Sequence, residues 1–170
     1  MTLEGRSIVC LGFGEWDAEL WTNQQHLMSR LARRNRVLFV ESLGLRRPRL
    51  AGRDLRRMAR RARRGLAGPR AWDGLHVLSP LVIPLHGRRG IAGLNALLLR
   101  AQVGRAARSL DMQRPLLWSY VPQAEWLVKA LEPSTIVYHC VDDIAAQKGV
   151  AAAAFRGAEA KRAVSATLGA

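Results

Sequence analysis

The residues best suited to chemistry in this sequence stand just after short apolar runs. Thr135–Val141 (TIVYHCV) carries His139 and leads directly into Asp142 and Asp143. Two adjacent carboxylates repel each other, so one of them holds its proton to higher pH. That suits a base that takes a proton from a hydroxyl. The alternative is a capping Asp next to a solvated one. Gly12-Phe13-Gly14-Glu15-Trp16-Asp17 follows the first apolar run. A dinucleotide fingerprint requires a third glycine at position 17. Asp17 stands there instead, flanked by Glu15 and Glu19, and three carboxylates repel a pyrophosphate. Glu41, closing the second run, is where a ribose-binding acid would sit. Trp16 among acids suits a sugar or polyol better: the indole offers a flat apolar face and the carboxylates accept hydroxyl hydrogens. Gly12 and Gly14 permit a tight turn whatever the ligand. His26, in the polar block Asn23-Gln24-Gln25-His26, is either a base or ligand hydrogen-bonder, or a half-exposed helix residue. His76 and His86 read as surface residues. His, Cys and Asp do not recur at zinc-like spacing, so no metal site is expected. Cys10 and Cys140 lie in apolar runs and read as buried thiols.

A second kind of chemistry is carried by charge. The chain has 27 Lys and Arg against 13 Asp and Glu, a net +14. Ten arginines fall between Arg46 and Arg64 with one acid, Asp54. Such a field attracts phosphates, whether of nucleic acid, anionic lipid or a phosphorylated ligand. Leu55, Met58, Ala59, Ala62 and Leu66 make a thin apolar stripe through the cluster, which predicts a cationic amphipathic helix. One reading is a solvated helix face. Another is nucleic acid, but stacking aromatics or a recognisable module would accompany it, and Trp72 is the only nearby aromatic. A third is an interfacial helix with Arg53, Arg56, Arg57, Arg60, Arg61 and Arg64 on lipid phosphates.

These residues need a scaffold that gathers them. The runs Ser7–Phe13, Val37–Val40, Leu75–Ile83 (whole, or broken at Pro80), Leu116–Val121 and Thr135–Val141 read as strands apolar on both faces. Helical patterns separate them: Leu20, Leu27, Met28 and Leu31 capped by Thr22; Ile91, Leu94, Leu98 and Ala101; and Trp126, Leu127, Ala130 and Leu131 after Pro122 and before Pro133. Five alternating strand–helix units predict an α/β fold, a parallel sheet with helices on both faces. Ligands bind at the carboxyl ends of such strands, where strand order reverses. This draws attention to Gly12–Asp17, Glu41, Tyr120 and His139–Asp143.

The length of 170 residues fits one domain, and 49% hydrophobic with 24% charged residues excludes wholesale disorder. The expected division is a Rossmann-like domain over 1–149, containing a basic insertion at 46–70, and an Ala-rich helical tail at 150–170. Two cysteines exclude a disulfide scaffold. No apolar run reaches the ~18 residues of a membrane span, and the start lacks a secretory pattern, so a cytoplasmic location is expected.

Several segments taken together resemble a known family. They are the Gly-x-Gly turn with Trp16 and Asp17, the Gln24–Leu27 block, Val37-Leu38-Phe39-Val40-Glu41, Pro115–Tyr120 and Ile136–Asp143. This pattern resembles the N-terminal, acceptor-side domain of bacterial GT-B glycosyltransferases of cell-surface polysaccharide and teichuronic-acid assembly, over most of residues 6–145. It departs from the pattern where Thr22-Asn23-Gln24 replaces an Arg-Pro element. The resemblance implies transfer of a sugar from a nucleotide-sugar donor to a membrane-proximal glycan or lipid-linked acceptor. It implies Asp142 or Asp143 as the base and no metal. It implies acceptor contacts from Gly12, Gly14, Trp16, Asp17, His26, Tyr120 and His139. It also implies peripheral attachment to the inner face of the plasma membrane through the arginine cluster. The donor would bind a C-terminal domain that this chain lacks, so a truncated, inactive half is expected. A nucleic-acid-binding α/β module and a Rossmann-type oxidoreductase fragment are the alternatives.

Overall fold

The computed structural model describes residues 3–41, 67–83, 90–121 and 124–140. Within them lie the strands β1 (Ser7–Leu11), β2 (Arg36–Val40), β3 (Arg70–Trp72), β4 (Leu75–Leu78), β5 (Leu116–Ser119) and β6 (Thr135–Tyr138). The helices are α1 (Asn23–Ala32), α2 (Ile91–Ser109) and α3 (Glu125–Leu131). The expected segment 46–70, but for its last four residues, and the tail 150–170 lie outside the described residues.

All six strands form one sheet in the order β3-β4-β2-β1-β5-β6. β4, β2, β1, β5 and β6 are parallel, and β3 alone runs antiparallel, against β4. Counting only the parallel strands, the spatial order is third, second, first, fourth, fifth. This is a Rossmann-like α/β sheet whose order reverses between β1 and β5.

The alternation of side chains sorts the core into two layers. Val9, Leu11, Leu38, Val40, Leu78 and Leu117 point to one face, where Val103, Ala106 and Ala107 of α2 and Leu127 and Leu131 of α3 cover them. Ile8, Cys10, Val37, Phe39, Val77 and Leu116 point to the other, where Met28, Leu27 and Leu31 of α1 pack. Full burial of each such side chain stabilises the fold by about 1.5–3 kcal/mol. This is why runs apolar on both faces form a covered sheet.

Several expectations are corrected. Of the two readings of Leu75–Ile83, the structure takes the one broken at Pro80. Pro80 has no N–H to donate to a ladder, and β4 stops at Leu78. Beyond it two side-chain amides replace a partner strand. Gln102 exchanges both hydrogen bonds with the Leu81 backbone, at 2.8 and 2.9 Å, and Asn95 does the same with Ile83, at 2.7 and 3.0 Å. The antiparallel β3 was not foreseen. It returns through Asp73-Gly74, both at positive φ (36° and 83°), as a tight hairpin requires. Leu20 lies before α1, not on its buried face, and is 85% exposed. In α2 the buried positions are Leu99, Val103, Gly104, Ala106 and Ala107, whereas Leu94 is exposed. β6 ends at Tyr138, so Cys140 falls beyond it and is exposed, while Cys10 is buried in β1. Among the described residues no helix is long and apolar enough to cross a membrane.

Candidate functional site

Because the central strands are parallel, their carboxyl ends meet along one rim. The first residue after each strand stays in register with its neighbour. Glu41 N donates to Leu78 O at 2.9 Å, Gly12 N to Val40 O at 2.9 Å, Tyr120 N to Leu11 O at 3.0 Å and His139 N to Ser119 O at 2.9 Å. The row Glu41, Gly12, Tyr120, His139 therefore crosses the rim, with the reversal of strand order between Gly12 and Tyr120.

The turn after β1 is held by close approach, not by an unusual backbone. A Cβ on Gly12 would lie 2.3 Å from Phe39 Cζ and 2.8 Å from Gln24 Oε1, and one on Gly14 would lie 2.9 Å from Gln24 Nε2. Neither glycine has a positive φ. Two buried glutamines at the start of α1 clasp the turn. Gln24 Oε1 accepts from Phe13 N at 3.0 Å, and Gln25 Nε2 donates to Glu15 O at 3.0 Å. Gln25 Oε1 also accepts from Thr22 N at 3.0 Å, reaching back over the helix start.

At one end of the rim Glu41 organises a polar cluster. Its carboxylate accepts from Trp16 N at 2.8 Å, from Ser79 Oγ and from Arg70 Nη2 at 3.2 Å. Arg70 Nη2 also lies 3.8 Å from Asp17 Oδ1, and its guanidinium sits 5.2 Å from the Trp72 ring centre. The Glu41 carboxylate is thus engaged by the protein itself, which takes away the acid a ribose would need. Trp16 is 1% exposed and packs against Phe39, with ring centres 4.8 Å apart. Its ring is part of the core and offers no open face to a sugar.

At the other end is an aromatic group on the α1 side of the sheet. Tyr120 and His139 stack with centres 4.8 Å apart and planes at 29°. Trp118 meets His139 edge-on at 5.7 Å, and Phe13 meets Tyr120 edge-on at 6.0 Å. Burial pushes the Tyr120 phenol well above its ordinary pKa; the nearby Cys10 adds to the rise and the Trp118 indole opposes it. Burial likewise pushes the Cys10 thiol up. His26 is exposed at the start of α1, edge-on to Trp21 at 5.4 Å. Trp21 in turn contacts Trp16 at 5.4 Å. Phe13, Leu20 and Trp21 are exposed apolar side chains of this one loop.

Of the expected site residues, the structure gathers Gly12, Gly14, Tyr120 and His139 along the rim. It puts Asp17 with Arg70, and His26 on the outer face of α1. Asp142 and Asp143, and Arg53, Arg56, Arg57, Arg60, Arg61 and Arg64, lie outside the described residues. Sequence reasoning did not single out Trp118, Phe13, Trp21 or Arg70. For Trp118 a signal existed: it stands two residues before Tyr120 and so shares its face. Among the described residues no group of His, Cys, Asp and Glu could hold a metal ion. Comparison with protein-family models, with curated proteins and with solved structures finds no match for this chain.

Proposed function

We propose that the chain is the acceptor-binding half of a glycosyltransferase of GT-B type that works against an anionic membrane. In this reading Asp142 or Asp143 takes the proton from the acceptor hydroxyl. The observation that carries the reading is the composition of the carboxyl rim. β6 ends there at Tyr138, followed by His139, with the acid pair three residues further along the sequence. The arginine-rich segment leaves the sheet there after Glu41 and rejoins it there at Arg70, because β3 runs antiparallel to its neighbour. The exposed Phe13, Leu20 and Trp21 stand on a loop of the same rim. A base, an acceptor groove and a phosphate-seeking, apolar-tipped surface would then share one edge. Each arginine near an anionic bilayer contributes about 1 kcal/mol, so ten of them would hold a protein there.

The test is vesicle flotation of the full chain. One set of vesicles is neutral, one anionic, and one anionic with a lipid-linked glycan; a duplex-DNA gel shift runs at the same salt. The reading expects retention on anionic vesicles, stronger with the glycan, and falling steeply with added salt. Tight duplex binding without vesicle retention overturns it in favour of a nucleic-acid module.

A further inference from the structure

The sheet has two edges, and they are built differently. Natural sheets blunt an edge with charge, proline, a bulge or a covering element, because its unpaired N–H and C=O groups invite another strand. At one edge β3 is three residues long, carries Arg70 and folds back as a hairpin on β4. At the other, no strand lies beyond β6 among the described residues. β6 is Thr135-Ile136-Val137-Tyr138, four residues of high β-propensity with no charge and no proline. The central β1 buries four of its five residues, as a covered parallel strand should. In β6 none is buried: Thr135 and Ile136 are exposed, Ile136 at 48%, and Val137 and Tyr138 are half-buried. The direction of each group follows from the register. His139 N donates to Ser119 O, so the backbone groups of the odd-numbered residues turn to β5 and those of Ile136 turn outward. Ile136 stands beside Leu117, which puts its side chain on the face where α2 and α3 pack, but they do not enclose it.

We infer that the outer edge of β6 binds the same edge of a second copy of this chain, antiparallel about a two-fold axis at Ile136. Ile136 N–H then donates to the Ile136 C=O of the second copy, and the reverse. The two Ile136 side chains meet on one face of the joined sheet. On the other face Thr135 lies opposite Val137 of the second copy, a β-branched pair. The strand is thus complementary to itself, as an isologous contact requires, and with one such edge per copy the assembly closes at two. Charge selects the same arrangement. Two chains of net +14 repel each other, and β6 is the strand farthest from Arg70, where the arginine-rich stretch rejoins the sheet. Across the joined sheets the two Glu41 positions, where that stretch departs, stand about 34 Å apart at ~4.8 Å per strand. That is several times the ~8 Å screening length at physiological salt. So short an edge buries less than the ~1,600 Å² of a standard interface, which sets the dimer in the weak, micromolar class. The antiparallel pairing turns the two carboxyl rims in opposite directions. The inference therefore stands apart from the acceptor and membrane readings, and its failure would leave both untouched.

The test is sedimentation equilibrium of the full chain from about 5 to 500 µM, at low and at high salt. A monomer–dimer equilibrium with Kd of about 10–100 µM is expected. Added salt should tighten it, since screening lessens the repulsion between the two copies. Ile136→Lys sets like charges directly opposite each other and should weaken the dimer at least about tenfold. Leu20→Lys, on the exposed apolar loop before α1, should leave Kd within about twofold. Cross-linking tests the register. In a Cys140→Ser background, Ile136→Cys should form an intermolecular disulfide, because hydrogen-bonded antiparallel partners have Cα atoms about 5.5 Å apart. Thr135→Cys should not, since Thr135 of the second copy lies beyond that reach. The cross-link is read on the folded chain and decides the matter if Ile136→Lys fails to fold. A monomer at every concentration overturns the inference, as does a Kd unchanged by Ile136→Lys, dissociation by Leu20→Lys instead, or equal cross-linking at both positions. A monomer whose Ile136 amide resists hydrogen exchange would assign the edge to residues 141–170 of the same chain, and overturns it too.

Discussion

Three residues show how narrowly the rim is built. Gly12 is needed for space. With Phe39 Cζ 2.3 Å from the position of a Cβ and the Phe39 ring fully buried beside Trp16, neither neighbour can yield cheaply. Gly12→Ala should lower unfolding free energy by about 1–3 kcal/mol, read as a fall in denaturant midpoint at unchanged slope. Glu41 holds three donors with one buried carboxylate. Glu41→Gln keeps the shape but removes the charge facing Arg70, and should cost about 2–4 kcal/mol by the same measurement, whereas Ser79→Ala should cost nearer 1. Cys10 is enclosed and its thiol resists ionisation, whereas Cys140 is exposed. A thiol reagent at pH 8 should therefore modify one cysteine quickly, and the second only in denaturant. The sign of the pH effect follows. The folded thiol ionises above the unfolded value of about 8.5, so folding is undisturbed below that pH and loses stability as pH rises through it. Cys10→Ala should weaken that alkaline decline; Tyr120, raised for the same reason, contributes only at still higher pH.

At the scale of elements, the start of α1 acts as a latch on the turn after β1. Gln24→Ala removes the acceptor for Phe13 N and should cost about 1–2 kcal/mol. Faster hydrogen exchange at the Phe13 amide, with β1 unchanged, would distinguish a loosened turn from global destabilisation. The β3–β4 hairpin depends on Gly74 at φ 83°, so Gly74→Ala should cost about 1 kcal/mol and fray that edge of the sheet. The same elements show what a sequence does and does not disclose. β1, β2 and β5 were legible because side chains buried on both faces leave a continuous apolar run. β3 was not, since Arg70-Ala71-Trp72 is short, lies on an edge and has no apolar run; only the Asp-Gly pair announced it. Pro80 signalled a break in the third run, but what lies beyond it was not legible, because Leu81 and Ile83 are apolar and find their partners in amides 21 and 12 residues away in the chain. The rim positions after β1, β2, β5 and β6 could be anticipated, since parallel topology alone brings strand ends together. That Trp16 belongs to the core while Phe13 and Trp21 face outward could not, because it depends on how the turn folds back onto Phe39.

For the whole molecule, the dominant quantity is charge. A net +14 on 170 residues, most of it arginine, does not titrate in the physiological range. Binding to anionic vesicles should therefore vary little between pH 6 and 9 and fall with ionic strength. A strong dependence on pH at fixed salt would point to carboxylates or histidines instead. Duplex binding, if it occurs, should show a comparable salt slope, so only competition between vesicles and DNA separates the two partners.

The pairing of Glu41 with Arg70 has one more consequence. These two residues bracket the whole stretch from 42 to 69, and the contact between them is made by the sheet's own ends. The two ends of the stretch are thus held side by side by the sheet itself. Replacing residues 43–67 by a few glycines and serines should leave β1 to β6 folded, while subtracting ten positive charges and one negative. Comparing the trimmed protein with the full chain in vesicle flotation would then assign the proposed adhesion to the excised charges or to the remaining sheet.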